Sequence, residues 1–276
     1  MPYETTLLIQ LAVGLLVTGA LAGVLAGLLG VGGGIVIVPV LFLLFDFLQV
    51  PQEVAMHLAV GTSLCTIIPT SISSARSHYR RGAIDVSLLK RWAPLIFVGA
   101  LVGGLLSKVL NAEVLTLIFG FVALAVAINM AIPKTLVVSE SLPSGVVGAG
   151  AVPVGIGGFS ALMGIGGGTL SVPVLSAFSF PVHRAVATAS AFGLVIAVPA
   201  VCGFIWSGLN VDGRPPYSFG YVSVPAAVLI FSVSVLTAPL GSKLAHSLNP
   251  ARLKLAFALF LFLTALRMLW SVFGMG

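Results

Sequence analysis

Charge is what this sequence has least of. Charged residues make up 7% of its 276 positions, against roughly 25% in an ordinary globular domain, which excludes a soluble fold. Its two cysteines, Cys65 and Cys202, both fall in apolar stretches, so neither belongs to an extracellular disulfide framework. The seven acidic residues (Glu4, Asp46, Glu53, Asp85, Glu113, Glu140 and Asp212) all fall at the ends of apolar segments or between them. No mid-span carboxylate is left to bind a cation or relay a proton, which counts against a metal-ion permease and fits an anionic ligand. His-Glu-x-x-His, Gly-x-Ser-x-Gly and Asp/His pairs are missing too, so no enzyme, metal or cofactor is expected. The opening "MPYETT" lacks the basic region of a signal peptide, and the first apolar segment is expected to be retained.

Hydrophobic residues, in contrast, fill 59% of the chain. A spanning helix needs about 20 mainly apolar residues. The windows that qualify are Leu7–Leu29, Val54–Ile72, Trp92–Leu106, Val114–Ile132, Ser144–Met163, Ala185–Trp206, Tyr221–Leu240 and Lys254–Phe273. Trp92–Leu106 is short enough that its helix is expected to begin earlier. Two further stretches, Ile35–Leu48 and Thr169–Phe180, are too short to cross comfortably alone. The fold class is an all-α polytopic membrane protein. The net charge of +6 comes from 13 Lys and Arg lying mostly between spans. That is the pattern of positive-inside topology in a bilayer, not of nucleic-acid binding.

The chain is written twice. "GVGGGIVIVP" from Gly30 to Pro39 returns as "GIGGGTLSVP" from Gly164 to Pro173. "HLAVGT" from His57 resembles "HRAVAT" from His183, and Leu110-Asn111 resembles Leu248-Asn249. Residues 1–133 thus form a first repeat, 134–143 a linker and 144–276 a second repeat. Each repeat holds four long segments and one short one. If every segment changes sides, the repeats are inverted; ten of the 13 basic residues then share a compartment with the 73–91 loop. Only Lys108 and Arg214 lie opposite, and Arg267 falls within a span. A parallel arrangement divides the charges almost evenly, so the K/R bias favours inverted repeats.

Inverted repeats commonly place a substrate site at the midplane, between discontinuous helices. Broken backbone at that depth is tolerated only where it is buried or lines a polar cavity. Gly32, Gly33 and Gly34, with Gly166, Gly167 and Gly168, read as two such breaks. Close helix packing is the competing account of these glycines. Pro39 and Pro173 suit the first turn of a new half-helix, whose N–H groups and positive dipole end would face an anion. Thr62, Ser63, Thr188 and Ser190 are candidate oxyanion ligands, although such hydroxyls often bond their own helix. His57 and His183 follow short loops and read equally as solvated helix starts or proton carriers. Cys65 reads as an apolar filler, and Arg267 as a functional charge or one that snorkels to an interface.

The paired Gly-x-Gly-Gly-Gly-(x)4-Pro stretches, the His-x-Ala-Val-x-Thr stretches and the eight-to-ten-segment layout resemble the sulfite exporter TauE/SafE family, also called the toluene sulfonate uptake permeases. The likeness covers nearly the whole chain. It implies a secondary transporter exporting sulfite or a short organosulfonate across the bacterial inner membrane. A passive anion channel is the alternative, with a metal-ion permease further behind. The identity of the sulfur anion, the energy coupling and homodimerisation stay open.

Overall fold

The computed structural model describes residues 5–132, 138–139, 147–244 and 250–274. In the first part of the chain α1 (Thr5–Leu29), α3 (Gln52–Tyr79), α4 (Val86–Leu106) and α5 (Ala112–Ala131) are long, and α2 (Gly34–Phe47) is short. Later come α6 (Val152–Met163), short α7 (Gly168–Ala177), α8 (Val182–Gly208), α9 (Val224–Leu244) and α10 (Pro250–Phe273). A two-residue hairpin, β1 (Ser218–Phe219) with β2 (Val222–Ser223), leads into α9. Among the described residues six helices (α1, α3, α4, α5, α8 and α9) are long and apolar enough to cross a bilayer, and the chain is a multi-pass membrane protein. Most of the 134–143 linker lies outside the described residues.

Local chemistry sets several boundaries. Pro51 and Pro181 precede α3 and α8, held extended at ψ 132° and 123°, and their carbonyls accept from the first turn. Asp85 and Asn111 cap α4 and α5, accepting from Leu88 N and Val114 N at 2.9 Å each. As its short window required, the fourth segment begins before Trp92, at Val86. Ser144–Met163 differs from expectation. Its described part is a π-helical turn, Val147–Ala151, followed by only 12 α-helical residues. The glycines and proline of "VGAGAVPVG" weaken regular winding there.

Pro39 and Pro173 also correct the expected half-helix starts. Each is the sixth residue of its helix, because α2 and α7 already begin at Gly34 and Gly168. The glycines, not the prolines, start the new helices.

α3 and α8 form the core and run antiparallel, with Gly61 against Phe204 at one level and Ser71 against Gly193 at another. α1 runs parallel to α9: Gly19, Gly23 and Gly27 meet Ile230, Ser234 and Ala238 in turn. α4 and α6 repeat that pattern, with Gly99 and Gly103 on Val154 and Gly158. A glycine every fourth residue lets two backbones approach, the small-residue packing of membrane helices. α3 is also parallel to α9, through Thr70–Ser234 and Ser77–Ser242 hydroxyl pairs at 2.6 Å each. At the start of α4, Asp85 pairs with Arg184 of α8 at 3.0 Å. Leu8, Val13, Leu21, Leu236 and Leu240 are exposed on the outer helices, where lipid replaces water.

Candidate functional site

The two glycine stretches meet in the middle of the protein. Every residue from Gly30 to Pro39 and from Ser160 to Thr169 is buried. Gly30, Gly32 and Gly33 are left-handed at φ 67°, 72° and 80°, as is Gly164 at 66°; side-chain-bearing residues pay for that conformation. Space governs the other glycines. A Cβ on Gly34 would strike the Gly164 carbonyl, and one on Gly168 the Gly30 carbonyl. Gly166 N donates across the junction to Val31 O at 3.1 Å. The starts of α2 and α7 therefore lie back to back. A helix start leaves N–H groups without partners in its own helix, and both ends carry partial positive charge.

Buried hydroxyls surround this junction. Ser63 Oγ donates to Gly164 O at 2.7 Å, tying α3 to the second break. Ser71, on α3, is 1% exposed and its hydroxyl has no partner among the described residues. It lies where a Cβ on Gly193 would sit, and Gly167 N is 3.7 Å from the same point. Thr169 and Ser171 of α7, and Ser160 of α6, are equally buried and unpartnered. Leaving a buried hydroxyl unsatisfied costs about 1–3 kcal/mol, so four of them near two helix starts call for a ligand or water. Sequence reasoning missed Ser71, Ser160, Thr169 and Ser171. The signal was "TSISS", Thr70 to Ser74, a hydroxyl cluster inside a span.

The remaining predicted residues have other settings. Thr62 Oγ1 accepts from Ser223 N, and Thr188 Oγ1 from Asp85 N, each at 2.9 Å. The repeated threonines thus fasten the beginnings of α9 and α4. Ser190 Oγ bonds its own helix at Ala187 O, 2.6 Å away. His57 is not at a solvated helix start. As the sixth residue of α3 it turns inward, 3% exposed, and its Nε2 meets the Ser107 and Leu110 carbonyls at 3.1 and 3.0 Å. The Tyr221 ring stacks on it at 4.7 Å, beside a cavity of about 820 Å³ that Glu53, Lys108 and Asp212 also line. His183 is exposed at the beginning of α8, and Arg267 is exposed on α10. Cys65 is half-buried and Cys202 exposed, both as free thiols.

The family described as sulfite exporter TauE/SafE matches residues 15–268. A probable membrane transporter protein of Haemophilus influenzae is 37% identical over 92% of this chain and 96% of its own length. Another, from Methanocaldococcus jannaschii, is 30% identical over 97% of both chains. A third, from Bacillus subtilis, is 31% identical over 77% of this chain and 83% of its own. No solved structure is a significant match. With broken helices meeting at a buried centre, and a match that spans nearly its whole length, the chain belongs to the sulfite exporter TauE/SafE family of membrane transporters.

Proposed function

We propose that this protein is a secondary transporter that exports a small sulfur oxyanion, sulfite or a short organosulfonate, across the inner membrane of a bacterial cell. The anion binds where α2 and α7 begin, held by N–H groups around Gly33, Gly34, Gly167 and Gly168. The observation that carries this reading is the unpartnered, buried hydroxyl of Ser71 beside Gly167. Helix starts, hydroxyls and no neighbouring carboxylate make a site for an oxyanion. The choice of sulfur rests on the family's name. In liposomes, labelled sulfite or a sulfonate is expected to move with saturable kinetics and in preference to chloride. Ser71→Ala is expected to raise the half-saturating concentration about tenfold, the worth of one charge-assisted hydrogen bond of roughly 1.5 kcal/mol. Ser190→Ala, whose hydroxyl serves its own helix, should leave it within twofold. Linear, unsaturable flux would instead identify a channel. Nickel transport without oxyanion flux would refute the anion reading.

The two repeats are inverted in this proposal. Support comes from helix direction. The repeat-related helices α3 and α8 are antiparallel, and α1 with α9 is parallel just as α6 with α4 is. Arg81 and Arg184 lie at the end of the bundle where α3 stops and α4 and α8 start, opposite Lys108. In a variant lacking both native cysteines, Ser87→Cys and Asp212→Cys are expected to react with an impermeant thiol reagent from opposite sides. Reaction of both from the same side would refute the inversion.

A further inference from the structure

At its basic end the seam between α3 and α9 opens into a groove of about 730 Å³. The lining changes character along the helix axes. Pro69, Ile72, Val235 and Pro239 form its apolar part. Arg76, Arg80, Arg81 and Lys243, all exposed, form the rim, and no carboxylate is among the described lining residues. The hydroxyls at the seam are already committed. Pro239 has no N–H to offer the Val235 carbonyl four residues back, and Ser73 Oγ supplies the missing donor at 2.9 Å. Ser77 bonds Ser242 through its hydroxyl at 2.6 Å, and Arg81 Nη1 donates to the Ser242 carbonyl at 2.6 Å. Arg76, Arg80 and Lys243 are thus left to define the charge of the opening. Below them Ile72, Leu236 and Leu240 continue an exposed apolar surface, 50%, 72% and 51% accessible.

We propose that this groove holds one anionic glycerophospholipid, with its phosphate against Arg76, Arg80 and Lys243 and an acyl chain along Ile72, Val235 and Leu236. A soluble anion would satisfy the rim and leave the apolar part empty. A neutral lipid would fill the apolar part and leave three cations crowded without a counter-charge. Basic pockets between membrane helices are suited to anionic headgroups, and here the two chemistries lie one above the other at the right polarity.

Native mass spectrometry of the purified full chain tests the assignment independently of transport. The detergent-solubilised protein is titrated with phosphatidylglycerol and, separately, with phosphatidylcholine of the same acyl chains. The first phosphatidylglycerol adduct is expected at a lipid concentration at least tenfold lower than the first phosphatidylcholine adduct. Equal retention of the two lipids by the wild type overturns the proposal. The triple variant Arg76→Gln, Arg80→Gln, Lys243→Gln should bring the two within twofold. Should it not stay monodisperse, Arg76→Gln alone should lower the preference at least threefold, and an unchanged preference overturns the placement. Glycerol phosphate at hundredfold excess is expected not to displace bound phosphatidylglycerol. Displacement would assign the groove to a soluble anion and overturn the lipid.

Discussion

Replacing Gly33 or Gly167 with valine is expected to abolish anion flux. Gly33 is the residue before α2, held at φ 80° and ψ −14°, and its added Cβ would lie 2.7 Å from the Ala22 carbonyl. Left-handed backbone alone costs a residue with a Cβ about 1–2 kcal/mol, and a β-branched side chain fares worse. The clash with Ala22 comes on top, and backbone cannot swing aside as a flexible side chain can. Gly167 has an ordinary helical φ of −56°, so its glycine answers to space alone. There a Cβ would lie 2.6 Å from the Ala189 carbonyl and 2.7 Å from Phe192 Cβ. Either variant must move α2 or α7 away from the junction, which separates the two helix starts proposed to hold the anion. The measurement is labelled-anion uptake into liposomes, with at least a hundredfold loss expected and membrane insertion verified separately. Gly14→Ala is the control. It lies in α1 with nothing within 4 Å of an added Cβ, so it should transport normally and be more stable by about 0.5–1 kcal/mol. Normal flux in Gly33→Val would reduce the break to packing.

His57→Leu is expected to cost far more stability than a change at the exposed His183. The ring bridges the turn between α4 and α5 by donating from Nε2 to Ser107 O and Leu110 O. Leucine fills much of the volume but leaves both buried carbonyls without this donor. Each unsatisfied acceptor costs about 1–3 kcal/mol, giving a loss of roughly 2–5 kcal/mol once some water enters from the adjoining cavity. His57→Gln, whose amide N–H₂ can reach one carbonyl, should recover part of it. Thermal unfolding in detergent measures the effect, with exposed His183→Ala expected within about 0.5 kcal/mol of wild type. Equal melting temperatures for His57→Leu and wild type would show that the two bonds carry no net stability.

Much of the architecture was legible beforehand because lipid imposes strict demands on a sequence. A span must be apolar along its whole length, and the break in it must be glycine, so both features are written locally. Both glycine stretches and most of the windows could therefore be read off, although α3 runs on past Ile72 to Tyr79 and the regular helix within Ser144–Met163 begins only at Val152. Pro39 and Pro173 misled as helix starts because a glycine before Gly34 or Gly168 can begin a helix just as well. The hydroxyls were harder. Thr62 and Thr188 stand out in the sequence by repetition, yet each fastens the beginning of another helix. Ser71 has no repeated counterpart, and within "TSISS" nothing but Gly193, far along the chain and opposite it, sets it apart from its neighbours.

By itself the sequence determined that this is a multi-pass helical membrane protein in which one glycine-rich stretch is written twice, each time between two helices. Burial of backbone polar groups in hydrocarbon allows little else. Tertiary structure alone decided which hydroxyls are satisfied and which are left over. A serine's partner depends on what the neighbouring helix presents at the same level, and helix direction, register and crossing are properties of pairs. That is why Ser63 is bound to the Gly164 carbonyl, Ser190 to its own helix and Ser71 to nothing among the described residues, although all three are serines inside apolar spans.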